Sequence, residues 1–172
     1  QHTIWAICEK FKIKETFVIE IPDRTGTINK RAKPAELGGI DNVFKAIDLF
    51  LVAGSDATET LGIVIDADED LNSRWQKVVS ILVNAGYQNI PDSPDPNGTI
   101  ISQEFLPTFG VWLMPDNIIT RGMLEDFLEF LIPNKEENKV WQKAIECTKE
   151  VLKMEEKTFA ETHLSKAQMH TY

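Results

Sequence analysis

The chain has 172 residues, 42% hydrophobic and 26% charged, proportions of one folded domain of ordinary size. Its net charge of −9 argues against a sequence-independent DNA binder working through a broad basic surface. It leaves room for an enzyme whose carboxylates are neutralised locally by metal ions, or for a basic partner subunit that carries the affinity. No apolar stretch is long enough to cross a bilayer and no secretory segment is present, so no membrane partner is expected. Cys8 and Cys147 fit no metal-binding spacing. They read as buried thiols, and the expected compartment is the reducing cytoplasm.

In chain order, residues 1–13 follow the helical period, and 17–21 (Phe-Val-Ile-Glu-Ile) read as a strand bounded by Pro22. A polar, basic loop with Arg24, Lys30, Arg31 and Lys33 follows. Gly38-Gly39 leads into a helix over 42–52, with Val43, Phe44, Ile47, Phe50 and Leu51 on its apolar face and Asp41 as the N-cap candidate. Residues 61–65 form the next strand. Trp75, Val78, Val79, Leu82 and Val83 mark a helix over 72–84, with Gly86 as the candidate C-cap. The turn formers of 91–98 make a loop. Residues 99–103 and 109–114 read as strands, a hairpin through Pro107. A helix over 123–132 is stopped by Pro133, and 138–172 is helical with one or two breaks.

Helices alternating with strands predict an α/β fold, a mainly parallel sheet flanked by helices with a helical C-terminal segment. The near-continuous apolar strands suggest that both sheet faces are covered. The chain is expected to be a single domain, 1–172, cut from a longer protein. It is already helical by Ile4, with no methionine or cap before it, and it closes at Tyr172 inside another amphipathic stretch.

Ligands of open α/β sheets bind beyond the C-terminal strand ends. Leu61-Gly-Ile-Val-Ile-Asp66-Ala-Asp68 puts two alternating aspartates at such an end, and Asp116 lies at another. Along a strand, positions i and i+2 share a face, so Asp66 and Asp68 would repel unless a cation or a shared proton relieves them. Mg²⁺ or Mn²⁺ prefers such oxygen ligands. The plainer alternative is a loop start whose acids, with Glu69 and Asp70, face water. A calcium loop is excluded, because Leu71 stands where glycine is needed and Lys77 where the bidentate glutamate is needed. A haloacid-dehalogenase-type phosphatase is disfavoured, because Asp70 replaces the expected Thr or Val.

Glu125 and Asp126 open the helix after Gly122, where acids also simply meet the helix dipole. Lys166 could steady a phosphate or a developing negative charge, or be a solvated helix lysine. His2, His163 and His170 have no spacing that demands acid–base work. The four tryptophans read as core or interface aromatics. No Walker loop, Gly-x-Gly-x-x-Gly, nucleophile elbow or His-Glu-x-x-His is present.

The blocks Gly38-Gly-Ile-Asp-Asn, Leu61 to Asp68, Ser73-Arg-Trp75, Gly110-Val-Trp-Leu-Met-Pro-Asp-Asn117, Gly122-Met-Leu-Glu-Asp-Phe127 and His163-Leu-Ser-Lys-Ala167 together resemble a bacterial family related to the Toprim (topoisomerase–primase) domain. The chain is also similar to the nuclease domain of overcoming-lysogenisation-defect proteins. The resemblance implies a compact fold around a central parallel sheet, with Mg²⁺ bound by a glutamate after the first strand and by an Asp-x-Asp. Carried over, Asp66 and Asp68 are the Asp-x-Asp, Glu125 is the further acid and Lys166 the lysine. It further implies a nucleic acid substrate and an ATPase partner in phage defence. The first Glu-bearing strand is absent, so this stretch alone would be impaired even where the intact protein is an enzyme. The competing expectation is a non-catalytic module that regulates a partner ATPase.

Overall fold

The computed structural model describes residues 2–29, 31, 33, 36–52, 59–156 and 158–172. The backbone falls into two compact units, residues 1–58 and 59–172. No helix among the described residues is long and apolar enough to cross a membrane.

In the first unit α1 spans His2–Phe11 and buries Cys8. Lys12 turns left-handed (φ 54°), and Ile13 N–H closes on the Cys8 carbonyl at 2.9 Å. The strand expected at 17–21 is not formed. Those residues are irregular, with Val18 80% exposed. β-branched residues favour a strand only where a partner and a packed face exist. The loop behind Pro22 is organised by Asp23, whose carboxylate accepts from Thr25 N–H (2.8 Å) and Thr25 Oγ1 (2.6 Å). Lys30 lies outside the described residues. α2 spans Ile40–Val52 and buries Phe44, Ala46, Ile47 and Leu51. It starts earlier than expected. Asn42 and Val43 N–H bond to the Gly39 carbonyl, so Asp41 sits in the first turn and not at the cap.

The second unit is built on a three-stranded mixed sheet flanked by helices. β1 (Thr60–Asp66) pairs parallel with β3 (Thr108–Met114), and β2 (Thr99–Ile101) pairs antiparallel with β3, giving the order β1-β3-β2. The hairpin through Pro107 is formed, with β2 shorter than expected. Register sets Ile63 beside Val111 and Ile65 beside Leu113. These four and Phe109 are buried. The alternate face is more open. Val64 is 47% exposed, and Trp112 is only half-buried. The apolar run therefore covers one face fully and not both.

α3 (Leu71–Asn84) carries the expected period, with Trp75, Val78 and Leu82 buried. Gly86, left-handed at φ 99°, follows the C-cap Ala85. Gly86 N–H bonds to Val83 and Tyr87 N–H to Leu82, both at 3.0 Å, a Schellman ending. The next helix, α4 (Leu124–Glu129), is shorter than the 123–132 expectation. Phe130, Leu131 and Ile132 make tight i−3 bonds instead, and Pro133 offers no N–H to continue. α5 (Lys139–Leu152) is capped by Asn138. After a break, a short 3₁₀ turn (Glu161–His163) leads into α6 (Leu164–Thr171). Ile132, Trp141 and Ala144 form a second core cluster, packed with Ile145 and Met169.

Candidate site at the end of the parallel strand pair

Asp66 is the last residue of β1 and falls on the same face as Gly62 and Val64, the more open one. Its Oδ1 accepts the N–H of Leu124, the first residue of α4, at 2.9 Å. Asp126 closes the same helix start by accepting Met123 N–H at 2.8 Å. Asp66 therefore ties the strand end to a helix 58 residues away.

The even spacing of the two aspartates does not persist beyond the strand. Asp68 is left-handed (φ 55°) and exchanges two 2.8 Å backbone bonds with Gly122. Strand alternation thus stops at Asp66 and does not by itself put both carboxylates on one face. They still sense each other. Burial, and then the charges of Asp68 and Glu125, push the Asp66 carboxyl above the ordinary 3.8, against the Leu124 hydrogen bond and the Arg74 charge. The expected companions Asp68 and Glu125 are thus within electrostatic reach of Asp66.

Asp68 carries a partner that the sequence did not suggest. Its Oδ2 accepts from the Arg74 guanidinium, whose side chain is 11% exposed against 48% for Asp68. Arg74 is placed by α3, whose N-cap is Asp70. The Asp70 carboxylate accepts from Asn72 N–H (2.9 Å), Ser73 N–H (3.2 Å) and Ser73 Oγ (2.8 Å). These bonds, with Ser73 Oγ the strongest cause, hold the Asp70 carboxyl below its ordinary value.

A cleft of about 1320 Å³ opens over this end of the sheet. Ala67, Asp68, Glu69 and Asp70 line one side with Arg74 and Lys77, and Arg121, Asp126, Glu129, Lys135, His163 and Ser165 also line it. Glu129 is paired with Lys135 at 2.5 Å. Asp66, Glu125 and Lys166 are not among the lining residues. Asp66 lies directly before the wall residue Ala67, and exposed Lys166 lies directly after Ser165. Asp116, the other strand-end acid, forms a turn in which its Oδ1 accepts Ile118 and Ile119 N–H.

Carboxylate oxygen suits Mg²⁺ or Mn²⁺, and Asp66 and Asp68 each commit one oxygen to the bonds above. As they stand, no three His, Cys, Asp or Glu among the described residues are grouped so as to hold a metal ion. Arg74 and Arg121 were missed in the sequence. Ser73-Arg-Trp75 was visible there only as a block, without a role for its arginine. Asn117 was missed as a support residue. Buried and left-handed (φ 63°), it accepts Leu113 N–H at 2.6 Å and donates to the Asp95 carbonyl at 3.0 Å. It thereby fixes the end of β3 to the 91–98 loop.

Fold and site together define an α/β protein with an ionic cleft at the carboxyl end of a parallel strand pair. A family model described as "protein of unknown function (DUF3226)" matches residues 1–172, and the chain belongs to that family. No curated protein and no solved structure matches it.

Proposed function

We propose that this is a Toprim-like, Mg²⁺- or Mn²⁺-dependent phosphotransfer domain, with phosphodiester hydrolysis in nucleic acid as the preferred reaction and an ATPase as partner. One observation carries the reading. A half-buried aspartate, Asp66, is held at the carboxyl end of a parallel strand among two further carboxylates, beside an open cleft. Burying a charge among like charges is costly and is characteristic of functional sites.

Asp66, Asp68 and Glu125 would hold the ion, which supplies charge stabilisation for the attacking and leaving oxygens of an in-line displacement. In this reading Asp66 also fixes the start of α4, and with it Glu125. Lys166, one residue beyond the cleft wall, would face the developing negative charge. The second reading, a non-catalytic module regulating an ATPase, is favoured by the Arg74–Asp68 pair, which already neutralises one candidate ligand.

Thermal unfolding of the chain with Mn²⁺ separates the two. Selective binding to the folded state raises Tm with concentration. Asp66→Asn should abolish that rise and any Mn²⁺-dependent nicking of plasmid DNA. A wild-type protein showing neither rise nor nicking, with its ATPase present, would leave the regulatory module.

A further inference from the structure

We infer that the cleft at the end of the parallel strand pair docks a basic, amphipathic segment of a protein partner. The inference stands apart from the metal reading and needs no ion. Size is the first observation. A cleft of about 1320 Å³ exceeds the roughly 300–1,000 Å³ of a small-molecule site. It has room for a short stretch of polypeptide.

The cleft also presents apolar side chains to solvent. Phe130 is 54% exposed and Ile119 43%, and both line it. Their sequence neighbours Leu131 and Ile118 are exposed as well. The backbone holds them there. Phe130 N–H bonds to the Phe127 carbonyl and Leu131 N–H to that of Leu128, and this tightened turn carries both off the α-helical stripe. Ile119 N–H is held by Asp116 Oδ1 at 2.9 Å. The next carbonyl, of Thr120, accepts Leu71 N–H at 2.7 Å, which pins the turn to the start of α3. Apolar groups exposed on a fixed support mark an interaction surface.

Charge identifies the occupant. Among the described lining residues there are six carboxylates and four Lys or Arg, on a chain of net charge −9. Four of the six are committed: Asp68 to Arg74, Asp70 to the α3 cap, Asp126 to Met123 N–H and Glu129 to Lys135. Glu69 and Glu161 are exposed, and their carboxylates make no hydrogen bond or ion pair among the described residues. Lysine or arginine side chains would satisfy them, while apolar neighbours cover Ile119 and Phe130. The apolar pair would supply the affinity and the two glutamates the selectivity. Without cations to neutralise it, the surplus of acid repels a nucleic acid strand, and a second copy of this chain brings the same sign of net charge.

Fluorescence anisotropy of the full chain with a labelled peptide of Lys and Leu at helical spacing tests this. That peptide should bind, and its counterpart of Glu and Leu and a labelled oligothymidylate should not. The double variant Glu69→Gln/Glu161→Gln should weaken binding about tenfold, the scale of two partly exposed ion pairs. Phe130→Ala should weaken it by about as much, with Tm close to wild type because the ring is exposed. Glu155→Gln/Glu156→Gln, the same charge change at exposed residues outside the cleft, should leave binding unchanged. An equal loss in that remote pair, tighter binding of the oligothymidylate, or no binding of the Lys–Leu peptide overturns the inference. Self-association of the protein alone in sedimentation, abolished by Phe130→Ala, would assign the surface to a second copy and overturn it too. Each outcome leaves the Mn²⁺ test of the metal reading as it stands.

Discussion

Asp66 and Asp70 lie four residues apart, and each accepts backbone N–H bonds at the start of a helix, yet their carboxyls move in opposite directions. Asp70 caps α3 from the adjacent residue, in open solvent, with Ser73 adding a hydroxyl bond. Its charge is welcomed. Asp66 caps α4 across 58 residues of sequence, half-buried and within electrostatic reach of Asp68 and Glu125. Its charge is tolerated at a cost. A cap needs only an acceptor, and Asn serves as well as Asp. The hydrogen bond to Leu124 therefore does not by itself require a charge on Asp66, which makes it the residue to suspect of chemistry.

The comparison breaks most severely at Gly122, which bridges Asp68 and leads into α4. A Cβ there would lie 2.6 Å from Pro115 Cδ and 3.2 Å from Asp126 Oδ2, at φ 154°. The proline ring is not the far end of a flexible side chain, and the capping carboxylate is held by Met123 N–H. Gly122→Ala should cost roughly 3 kcal/mol, read as a fall in the urea midpoint with an unchanged m value.

Asp66→Asn tests the cost directly. A raised carboxyl value means that the folded state binds the proton more tightly than the unfolded chain. The contribution to stability is thus best at low pH, falls as pH rises through the window above 3.8, and stays unfavourable at neutrality. Asn keeps an acceptor for Leu124 N–H and removes the charge. At pH 7 without metal the variant should be more stable by about 1 kcal/mol, the usual scale of a point substitution. The gap should close below pH 3.8. Thermal unfolding across pH measures it, and a variant less stable at pH 7 would remove the argument for a strained, functional charge.

Much of α3 was legible because its signals are local. The apolar period gave its body, and Gly86, left-handed after the last turn, gave its end. The paired strands were legible for the same reason, as runs of Leu, Ile and Val and of Phe, Val, Trp and Leu. Residues 17–21 carry an equally good strand pattern, but a strand is completed by a neighbour that no local pattern specifies. The site was half legible. Asp66 and Asp68 stood out by spacing, yet the extended backbone that spacing assumes ends at Asp66. The left-handed turn at Asp68, the reach of Asp66 to Leu124 and the Arg74 pair are tertiary facts. Lys166 and Glu125 were placed by resemblance, and the cleft wall passes beside both without including either.

The smallest effect sharpens the contrast most. Asp70→Asn makes the same chemical change as Asp66→Asn at the neighbouring cap. Asn retains an acceptor for Asn72 and Ser73 N–H but accepts the Ser73 hydroxyl less well than a carboxylate does. The lowered carboxyl value of Asp70 means that its contribution is present above 3.8 and is lost as pH falls through the folded value. At pH 7 the variant should therefore be slightly less stable than wild type, by less than Asp66→Asn gains, and the difference should vanish in acid. Two identical substitutions four residues apart would then shift Tm in opposite directions at neutral pH and converge at low pH. Mn²⁺ should distinguish them again. The metal-induced rise in Tm should survive in Asp70→Asn, whose carboxylate is committed to α3, and disappear in Asp66→Asn.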